Sequence, residues 1–245
     1  MDKKIKVFPD IYKLSRAAAE FFVTQAKDSI REHDQFTVAL SGGATPESLY
    51  ALLATDAYRV RIDWEKTHIF WGDERCVPPD NIDSNYRMAK LAMLESVPLP
   101  PENIHRIPGE HEPHIAAREY ENTLKSFFGD MPLPRFDLVF LGLGGDGHTA
   151  SLFPHTEALH AQGAWVLPNF LESHNTWRVT LSADVINAAA KVAFLVSGDS
   201  KTERVRDVLE GDYKPDTFPA QLITPTDGEL IWLLDEEAAA LLKNQ

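Results

Sequence analysis

The segment FDLVFLGLGGDGHTASLFP, residues 136–154, joins a short apolar run to a turn that is rich in glycine. The apolar run, residues 136–141, is too short for a core helix, and its pattern predicts a strand buried on both faces. The glycines that follow it, at positions 142, 144, 145 and 147, allow a tight turn and the close approach of a ligand. Thr149 is expected to cap a short helix that ends before Pro154.

Two side chains suited to proton transfer lie in this turn. His148 is the residue type that most readily gains or loses a proton near neutral pH, and Asp146 stands two positions before it. Ligands of parallel α/β sheets bind beyond the carboxyl ends of the strands, so a turn after a buried strand is a place for a site. A lone histidine is usually structural, but the position of His148 in a glycine turn predicts a functional role.

Strand and helix patterns alternate along the whole chain. Further strands are predicted at residues 4–7, 36–40, 67–71, 177–181, 191–196 and 228–234. Helices are predicted at residues 11–30, from Pro46 onward, and at residues 85–96, 112–128, 182–190, 202–210 and 236–242. The alternation predicts an α/β fold with three αβα layers, in which helices cover both faces of a mostly parallel sheet. One domain over residues 1–245 is expected, with room for a small additional lobe.

A second glycine turn, SGGATP at residues 41–46, follows the predicted strand 36–40. Pro46 suits the first turn of a helix, and Glu47 lies near the positive end of that helix. A strand, a Gly-Gly turn and a helix start together present backbone N–H groups to an anion, with the hydroxyls of Ser41 and Thr45 close by. An ordinary βα turn explains the same residues, so a phosphate site is one of two interpretations.

Charged residues follow two other predicted strands. Asp73, Glu74 and Arg75 come after strand 67–71, and Lys201 lies between strand 191–196 and the next helix. Two carboxylates beside a guanidinium can position a polar substrate, and a lysine at a helix start can bind an anion, although both groups can equally be solvated. Because the carboxyl ends of parallel strands share one edge of a sheet, these residues are expected near the glycine turns.

The composition favours a cytoplasmic protein without a nucleic-acid or membrane partner. A net charge of −13 opposes general binding to nucleic acids and anionic membranes. No apolar run approaches the ~20 residues needed to cross a bilayer, and the first residues lack a signal-peptide pattern. The single cysteine, Cys76, excludes an internal disulfide. An anionic substrate would need a local basic cluster. The oligomeric state is left open, and a monomer is compatible with the sequence.

Three patterns that suggest other chemistry are incomplete. Residues 142–147 match GxGxxG, but the following helix would meet Pro154 within two turns, and no strand ending in an acidic residue follows at the dinucleotide spacing. The histidines of HEPH, residues 111–114, lack the HExxH spacing of zinc sites. Cys76 beside Arg75 has a setting that can lower a thiol pKa, although a lone cysteine more often packs as a small hydrophobe. No metal and no cofactor are predicted.

Several motifs taken together resemble those of the 6-phosphogluconolactonases. In the expected order, over nearly the whole chain, they are SGGATP (41–46), GDERCVP (72–78), SNYRMAK (84–90), GLGGDGHTASLFP (142–154), WRVTLSADVINAA (177–189), SGDSK (197–201) and PAQLI (219–223). GDGHTASLFP is highly specific, whereas glucosamine-6-phosphate deaminases and isomerases share a loop similar to SGGATP. The resemblance implies a Rossmann-like αβα fold without a nucleotide. It also implies hydrolysis of 6-phospho-D-glucono-1,5-lactone to 6-phosphogluconate in the pentose phosphate pathway.

The resemblance further implies roles for individual residues. His148 would activate a water and later return the proton, Asp146 would orient His148 or stabilise its charged form, and Asp73 would be a further active-site residue. The phosphate would be bound by the SGGATP loop and two cations: Ser41, Gly42, Gly43, Thr45, Arg178 and Lys201. Arg75 would contact the phosphate or the sugar hydroxyls. Lactone hydrolysis needs neither a metal nor a redox cofactor.

Two alternatives share the implied fold. The first is a sugar-phosphate deaminase or isomerase, whose central motif resembles DGHIAFNEP, with a glutamate where this chain has Phe153. Deaminases also tend to read DEY where residues 73–75 read DER. A phenyl ring cannot relay a proton, so the sequence favours the lactonase. The second is a non-catalytic sugar-phosphate-binding protein related to the regulators of this group, and the acidic net charge argues against a DNA-bound regulator.

Overall fold

The computed structural model describes residues 3–129 and 131–243 and, within them, shows two β-sheets. The larger sheet has six parallel strands in the order β1-β9-β8-β5-β2-β3, and the smaller has three antiparallel strands in the order β4-β7-β6. The strands are β1 (Lys4–Phe8), β2 (Phe36–Leu40), β3 (Thr67–Trp71), β4 (Asp73–Arg75), β5 (Leu138–Leu141), β6 (Val166–Leu171), β7 (Thr176–Leu181), β8 (Lys191–Val196) and β9 (Glu229–Asp235). The predicted α/β fold with a mostly parallel sheet is confirmed.

Helices lie between most of these strands. They are α1 (Ile11–His33), α2 (Ala44–Leu53), α3 (Asp56–Arg59), α4 (Asn85–Ala92), α5 (Pro113–Phe128), α6 (Ala183–Asn187), α7 (Thr202–Glu210) and α8 (Glu236–Ala239). Among the short 3₁₀ helices, Glu172–His174 lies between β6 and β7, and Asp199–Lys201 leads directly into α7. The helices α4, α6 and α8 are shorter than the sequence patterns predict. In the part of the chain that the structure describes, no helix is both long and apolar enough to span a bilayer.

Side-chain caps mark where several of the helices begin. Asp10 at the start of α1, Ser84 at α4 and Glu112 at α5 each accept a hydrogen bond from the backbone N–H three residues further on. Each cap satisfies one of the N–H groups that lack a partner within the helix. The capping residues therefore explain the observed starts of these three helices.

Apolar packing fills the centre of the large sheet. Every residue of β2 and β5 is buried, as expected for parallel strands that are covered on both faces. On α1, Phe22 meets Phe36 edge to face at 5.2 Å and is stacked with Phe140 at 6.4 Å between ring centroids. The crossovers β2–α2–β3 and β3–α5–β5 run in opposite directions along the sheet. Right-handed connections therefore place α2 and α5 on opposite faces.

The backbone of Gly72, between β3 and β4, joins the two sheets. Its N–H donates to the Leu40 carbonyl at 2.9 Å, and its own carbonyl accepts from the Leu181 N–H at 2.8 Å. The carboxyl ends of β2 and β3 are thus tied directly to the smaller sheet. The sequence pattern predicts neither β4, which is three charged residues, nor β6, which contains a proline at position 168.

No helix follows the central glycine turn, and the prediction of one is wrong. Residues 149–153 instead form a tight turn with a single bridge between Thr149 and Leu152. The Thr149 hydroxyl donates to the Gly142 carbonyl at 2.9 Å and does not cap a helix. Ala150 has φ 47°, in the left-handed region that a right-handed helix excludes. The segment that follows His148 is therefore folded back toward the end of β5.

Candidate active site

A cavity of about 540 Å³ opens where the parallel strands end. Its walls come from the turns after β2, β3, β5 and β8 and from β7 of the smaller sheet. They include most of the predicted site residues, namely Ser41, Gly42, Gly43, Asp73, Arg75, Asp146, His148, Arg178 and Lys201. This edge is where parallel α/β sheets bind their ligands. The topology thus gathers residues that are far apart in sequence into one cavity.

Thr45 is the exception among the predicted residues. It does not line the cavity, and its hydroxyl lies 2.9 Å from the Ser197 hydroxyl. This contact links the start of α2 to the turn that follows β8. Because Lys201 follows that turn, Thr45 helps to hold together two segments of the cavity wall.

His148 and Asp146 form a hydrogen-bonded pair. The Nδ1 atom of His148 lies 2.5 Å from Oδ1 of Asp146, and the backbone N–H of His148 donates to the same oxygen at 3.0 Å. Burial alone would raise the pKa of Asp146, but the hydrogen bonds and the charge of His148 lower that pKa to about 2. A carboxylate that accepts from Nδ1 leaves Nε2 as the imidazole nitrogen that can take up a proton.

Two neighbours restrict the orientation of the His148 ring. Phe153 stacks on the imidazole, with ring centroids 3.9 Å apart and planes inclined by 22°. Gly144 lies so close that a Cβ atom there would overlap Nδ1 and Cε1 of His148 and come within 2.7 Å of Asp146 Oδ1. The absence of a side chain at position 144 therefore makes room for the hydrogen-bonded pair.

Two guanidinium groups lie side by side in the cavity wall. Arg75 of β4 is the direct cross-strand partner of Arg178 of β7. Burial lowers the pKa of Arg178, and the neighbouring charge of Arg75 lowers it further. Like charges opposite each other destabilise a strand pair. The charges of Asp73 and Glu74, on the same strand as Arg75, offset part of this repulsion.

No carboxylate provides this compensation as an ion pair. Across residues 3–129 and 131–243, none forms a salt bridge with Arg75, Arg178 or Lys201. Arg75 donates to the Asp83 carbonyl at 2.6 Å, and Arg178 makes long contacts to a hydroxyl and a carbonyl on its own strand. Unpaired cations in a chain of net charge −13 indicate an anion site.

Asp73 is buried and held from both sides. The Ser151 hydroxyl donates to one carboxylate oxygen at 2.6 Å, and the Asn85 amide donates to the Asp73 carbonyl at 2.9 Å and to the other carboxylate oxygen at 3.3 Å. Asn85 also packs directly on Gly42, where a Cβ atom would overlap its amide oxygen. Sequence reasoning missed Ser151 and Asn85 as cavity residues, because only the fold brings them to Asp73.

Glu74 takes no part in the cavity. Its carboxylate accepts from the Ser84 hydroxyl and from the N–H groups of Asn85 and Tyr86, at 2.7 to 3.0 Å, and so fixes the start of α4. Burial raises the pKa of Glu74, while these hydrogen bonds oppose the rise. Of the two neighbouring carboxylates considered for substrate positioning, only Asp73 lines the cavity.

The cavity offers no ligand set for a metal and no activated thiol. Within the described ranges, with their gap at position 130, no group of three or more His, Cys, Asp or Glu side chains could hold a metal ion. Cys76 does not line the cavity, and burial raises its pKa to about 11 despite the nearby charge of Arg178. His174, at the β6–β7 connection, does line the cavity, and sequence reasoning missed it.

Comparisons with known proteins identify the family of this chain. The family model described as glucosamine-6-phosphate isomerases/6-phosphogluconolactonase matches residues 9–232. A 6-phosphogluconolactonase from a Nostoc species is 40% identical over 245 residues, which cover 99% of each chain. One from a Synechocystis species is 45% identical over 223 residues, 90% of each chain.

Solved structures show the same relationship. The structure of 6-phosphogluconolactonase from Trypanosoma brucei has a TM-score of 0.86 at 30% identity and covers 98% of this chain and 99% of that one. A monomeric glucosamine-6-phosphate deaminase shares the fold at 23% identity, with a TM-score of 0.77, and covers 97% of this chain and 99% of that one. The chain belongs to the glucosamine-6-phosphate isomerase/6-phosphogluconolactonase family.

Proposed function

We propose that the protein hydrolyses 6-phospho-D-glucono-1,5-lactone to 6-phosphogluconate, the lactone-opening step of the oxidative pentose phosphate pathway. One observation carries the proposal: the His148–Asp146 pair and the unpaired cations Arg178 and Lys201 line the same cavity. A base and an anion site within one cavity suit a substrate that has a reactive carbonyl and a phosphate. The relatives named 6-phosphogluconolactonase, at 40% and 45% identity, support the same substrate.

The proposed chemistry is general-base hydrolysis of an ester. His148 takes a proton from water through Nε2 while the water oxygen bonds to the lactone carbonyl carbon. Collapse of the tetrahedral intermediate breaks the bond between that carbon and the ring oxygen, and the proton held by His148 passes to the ring oxygen. Asp146 stays ionised throughout, because its pKa is about 2, and it stabilises the imidazolium that forms in between.

The phosphate is assigned to the cationic side of the cavity. Arg178 and Lys201 supply charge, and the residues that precede α2, Ser41 to Gly43, supply backbone N–H groups at the positive end of a helix. Arg75, next to Arg178, contacts the phosphate or a sugar hydroxyl. Asp73 is held too firmly by its two neighbours to act as a mobile base, and we assign it to the binding of sugar hydroxyls. A cytoplasmic location suits a phosphorylated substrate and a single free cysteine.

Replacing either phosphate-side cation should weaken substrate binding more than it slows the chemistry. We expect Arg178→Met and Lys201→Met each to raise KM by about tenfold or more, the scale of a lost charge-assisted hydrogen bond, with a smaller change in kcat. Steady-state kinetics with freshly generated lactone, corrected for spontaneous hydrolysis, measure both constants. Lys191→Met is the matched control, since Lys191 forms its ion pair with Glu229 away from the cavity. An unchanged KM in both cavity variants would reject the phosphate assignment.

The main alternative, a deaminase, conflicts with the position of Phe153. In this chain a phenyl ring, and no carboxylate, stacks on His148. A deaminase has to open the sugar ring before it acts and needs a further proton relay beside the histidine, whereas attack on a lactone carbonyl opens the ring by itself. The structural likeness to a deaminase at 23% identity reports the shared fold alone.

Two assays on one preparation separate the candidates. We expect hydrolysis of 6-phosphogluconolactone well above the spontaneous rate, and no release of ammonia from glucosamine 6-phosphate. Acid production from the lactone and a coupled ammonia assay are the readouts, with His148→Asn as the control for a contaminating enzyme. Ammonia release at a comparable rate would overturn the proposal in favour of a deaminase. Binding of 6-phosphogluconate without turnover of the lactone would overturn it in favour of a non-catalytic binding protein.

A further inference from the structure

A side chain outside the cavity holds the turn that carries the catalytic pair. Arg204, on α7, donates from Nε to the Gly145 carbonyl at 2.9 Å. Its Cδ atom also lies against Gly147, 3.3 Å from the position a Cβ atom would occupy there. Gly145 and Gly147 flank Asp146. Arg204 therefore contacts the turn on both sides of the carboxylate that orients His148.

Arg204 is itself fixed in place. Its Nη1 pairs with Asp207 at 2.9 Å, and its guanidinium lies 4.9 Å from the centroid of the Phe218 ring. The side chain is only 22% exposed, so little of it is free to reorient. The segment that contains Phe218 also binds the turn directly, since the Ala220 N–H donates to the Gly147 carbonyl at 2.9 Å.

Inside the turn, two backbone hydrogen bonds add to the two contacts between His148 and Asp146. The Gly144 N–H donates to the His148 carbonyl at 2.8 Å, and the Gly147 N–H donates to the Gly144 carbonyl at 3.0 Å. Within residues 3–129 and 131–243, the Gly145 carbonyl has no backbone partner and accepts its hydrogen bond from Arg204. A glycine-rich turn loses much conformational freedom when it is ordered, so an external contact at this carbonyl has a large effect on its geometry.

We propose that Arg204 is a positioning residue for the reaction and keeps the Asp146–His148 pair aligned with the bound substrate. Lys201 precedes Arg204 by three residues, so about one helical turn separates the proposed phosphate contact from the contact that holds the catalytic turn. The start of α7 thereby fixes the position of the bound phosphate relative to His148. The inference rests on the proposed lactonase function.

A pair of variants on one helix tests the inference. Arg206 also pairs with Asp207, at 2.7 Å, but forms no hydrogen bond or ion pair with the turn among the residues that the structure describes. Arg204→Met and Arg206→Met each remove one positive charge and one partner of Asp207. Only Arg204→Met removes the hydrogen bond to Gly145. We expect a decrease in kcat of about tenfold for Arg204→Met with KM changed by no more than about twofold, since misplaced catalytic groups slow the chemical step.

The controls separate positioning from folding. Arg206→Met should keep kcat and KM within about twofold, and thermal unfolding should show both variants folded at the assay temperature. Arg204→Lys keeps a charged donor and should recover part of the lost kcat. If Arg204→Met does not fold, Arg204→Lys alone decides, with an expected decrease in kcat of about threefold at unchanged KM.

Each remaining outcome counts against the inference. A wild-type kcat in folded Arg204→Met, or an equal loss of kcat in both Met variants, would show that the contact with Gly145 does not align the base. An increase in KM at unchanged kcat in Arg204→Met would instead assign Arg204 to substrate binding. If the wild-type protein does not hydrolyse the lactone, both the proposed function and this inference are overturned. If the wild type is active but Arg204→Met and Arg206→Met have the same kcat, only this inference is overturned.

Discussion

His148→Asn is expected to lower kcat for lactone hydrolysis by at least ~10²-fold, the usual contribution of a positioned general base. An asparagine cannot accept a proton from water, although its amide can still donate to Asp146. The side chain lies at the cavity wall against Phe153 and packs into no part of the apolar core. The variant should therefore fold, with KM changed much less than kcat, as steady-state kinetics and thermal unfolding can measure.

The pH profile of the wild-type protein provides an independent check on this assignment. Activity that depends on a histidine as general base should fall on the acidic side, because a protonated imidazole cannot accept a proton from water. Asp146 cannot be the source of a decline above about pH 4, because its pKa is lowered to about 2 and the group remains ionised there. Near-normal turnover by folded His148→Asn, with the same acidic decline as the wild type, would remove His148 from the mechanism.

The sequence was sufficient to predict the parallel sheet and to predict which edge of that sheet carries the site. Buried apolar runs such as residues 36–40 and 138–141 are local signals, and each leads into a turn with a chemical signature. Because the carboxyl ends of parallel strands lie at one edge, the turns holding Ser41, Asp73 and Lys201 could be placed together without coordinates. These residues do line a common cavity.

The smaller sheet could not be predicted in the same way. Its strand β4 consists of three charged residues, and its position depends on pairing with β7, about a hundred residues later in the chain. This long-range register brings Arg75 beside Arg178, and no local sequence pattern predicts it. A separate long-range contact joins the Ser151 hydroxyl, in the turn after β5, to Asp73. Local propensity is a weak guide where such contacts determine the backbone.

The incorrect prediction of a helix after the glycine turn has a related cause. Thr149, followed by mostly apolar residues and a proline, has the local pattern of a helix start. In the folded chain the Thr149 hydroxyl binds the Gly142 carbonyl, and Ser151 binds Asp73. Functional turns often depart from local preference, because contacts across the site fix their geometry.

Gly144→Ala should be nearly as damaging to catalysis as the loss of His148, although no functional group is removed. A methyl group at position 144 would overlap Nδ1 and Cε1 of His148 and lie 2.7 Å from Asp146 Oδ1. The imidazole would have to rotate away from its hydrogen bond or displace the turn. Since a misplacement of about 1 Å can cost ~10²-fold in rate, we expect a decrease in kcat of that order.

Gly145→Ala is the matched control for this variant. The two glycines are adjacent in the same turn and neither has a positive φ, but a Cβ atom at position 145 meets nothing within 4 Å. Both substitutions reduce the flexibility of the turn by the same amount, so a general effect on the backbone would appear in both. We expect Gly145→Ala to keep kcat within about threefold of the wild type. Equal kcat values for the two alanine variants would mean that close packing at Gly144 does not hold the His148–Asp146 pair in its reactive geometry.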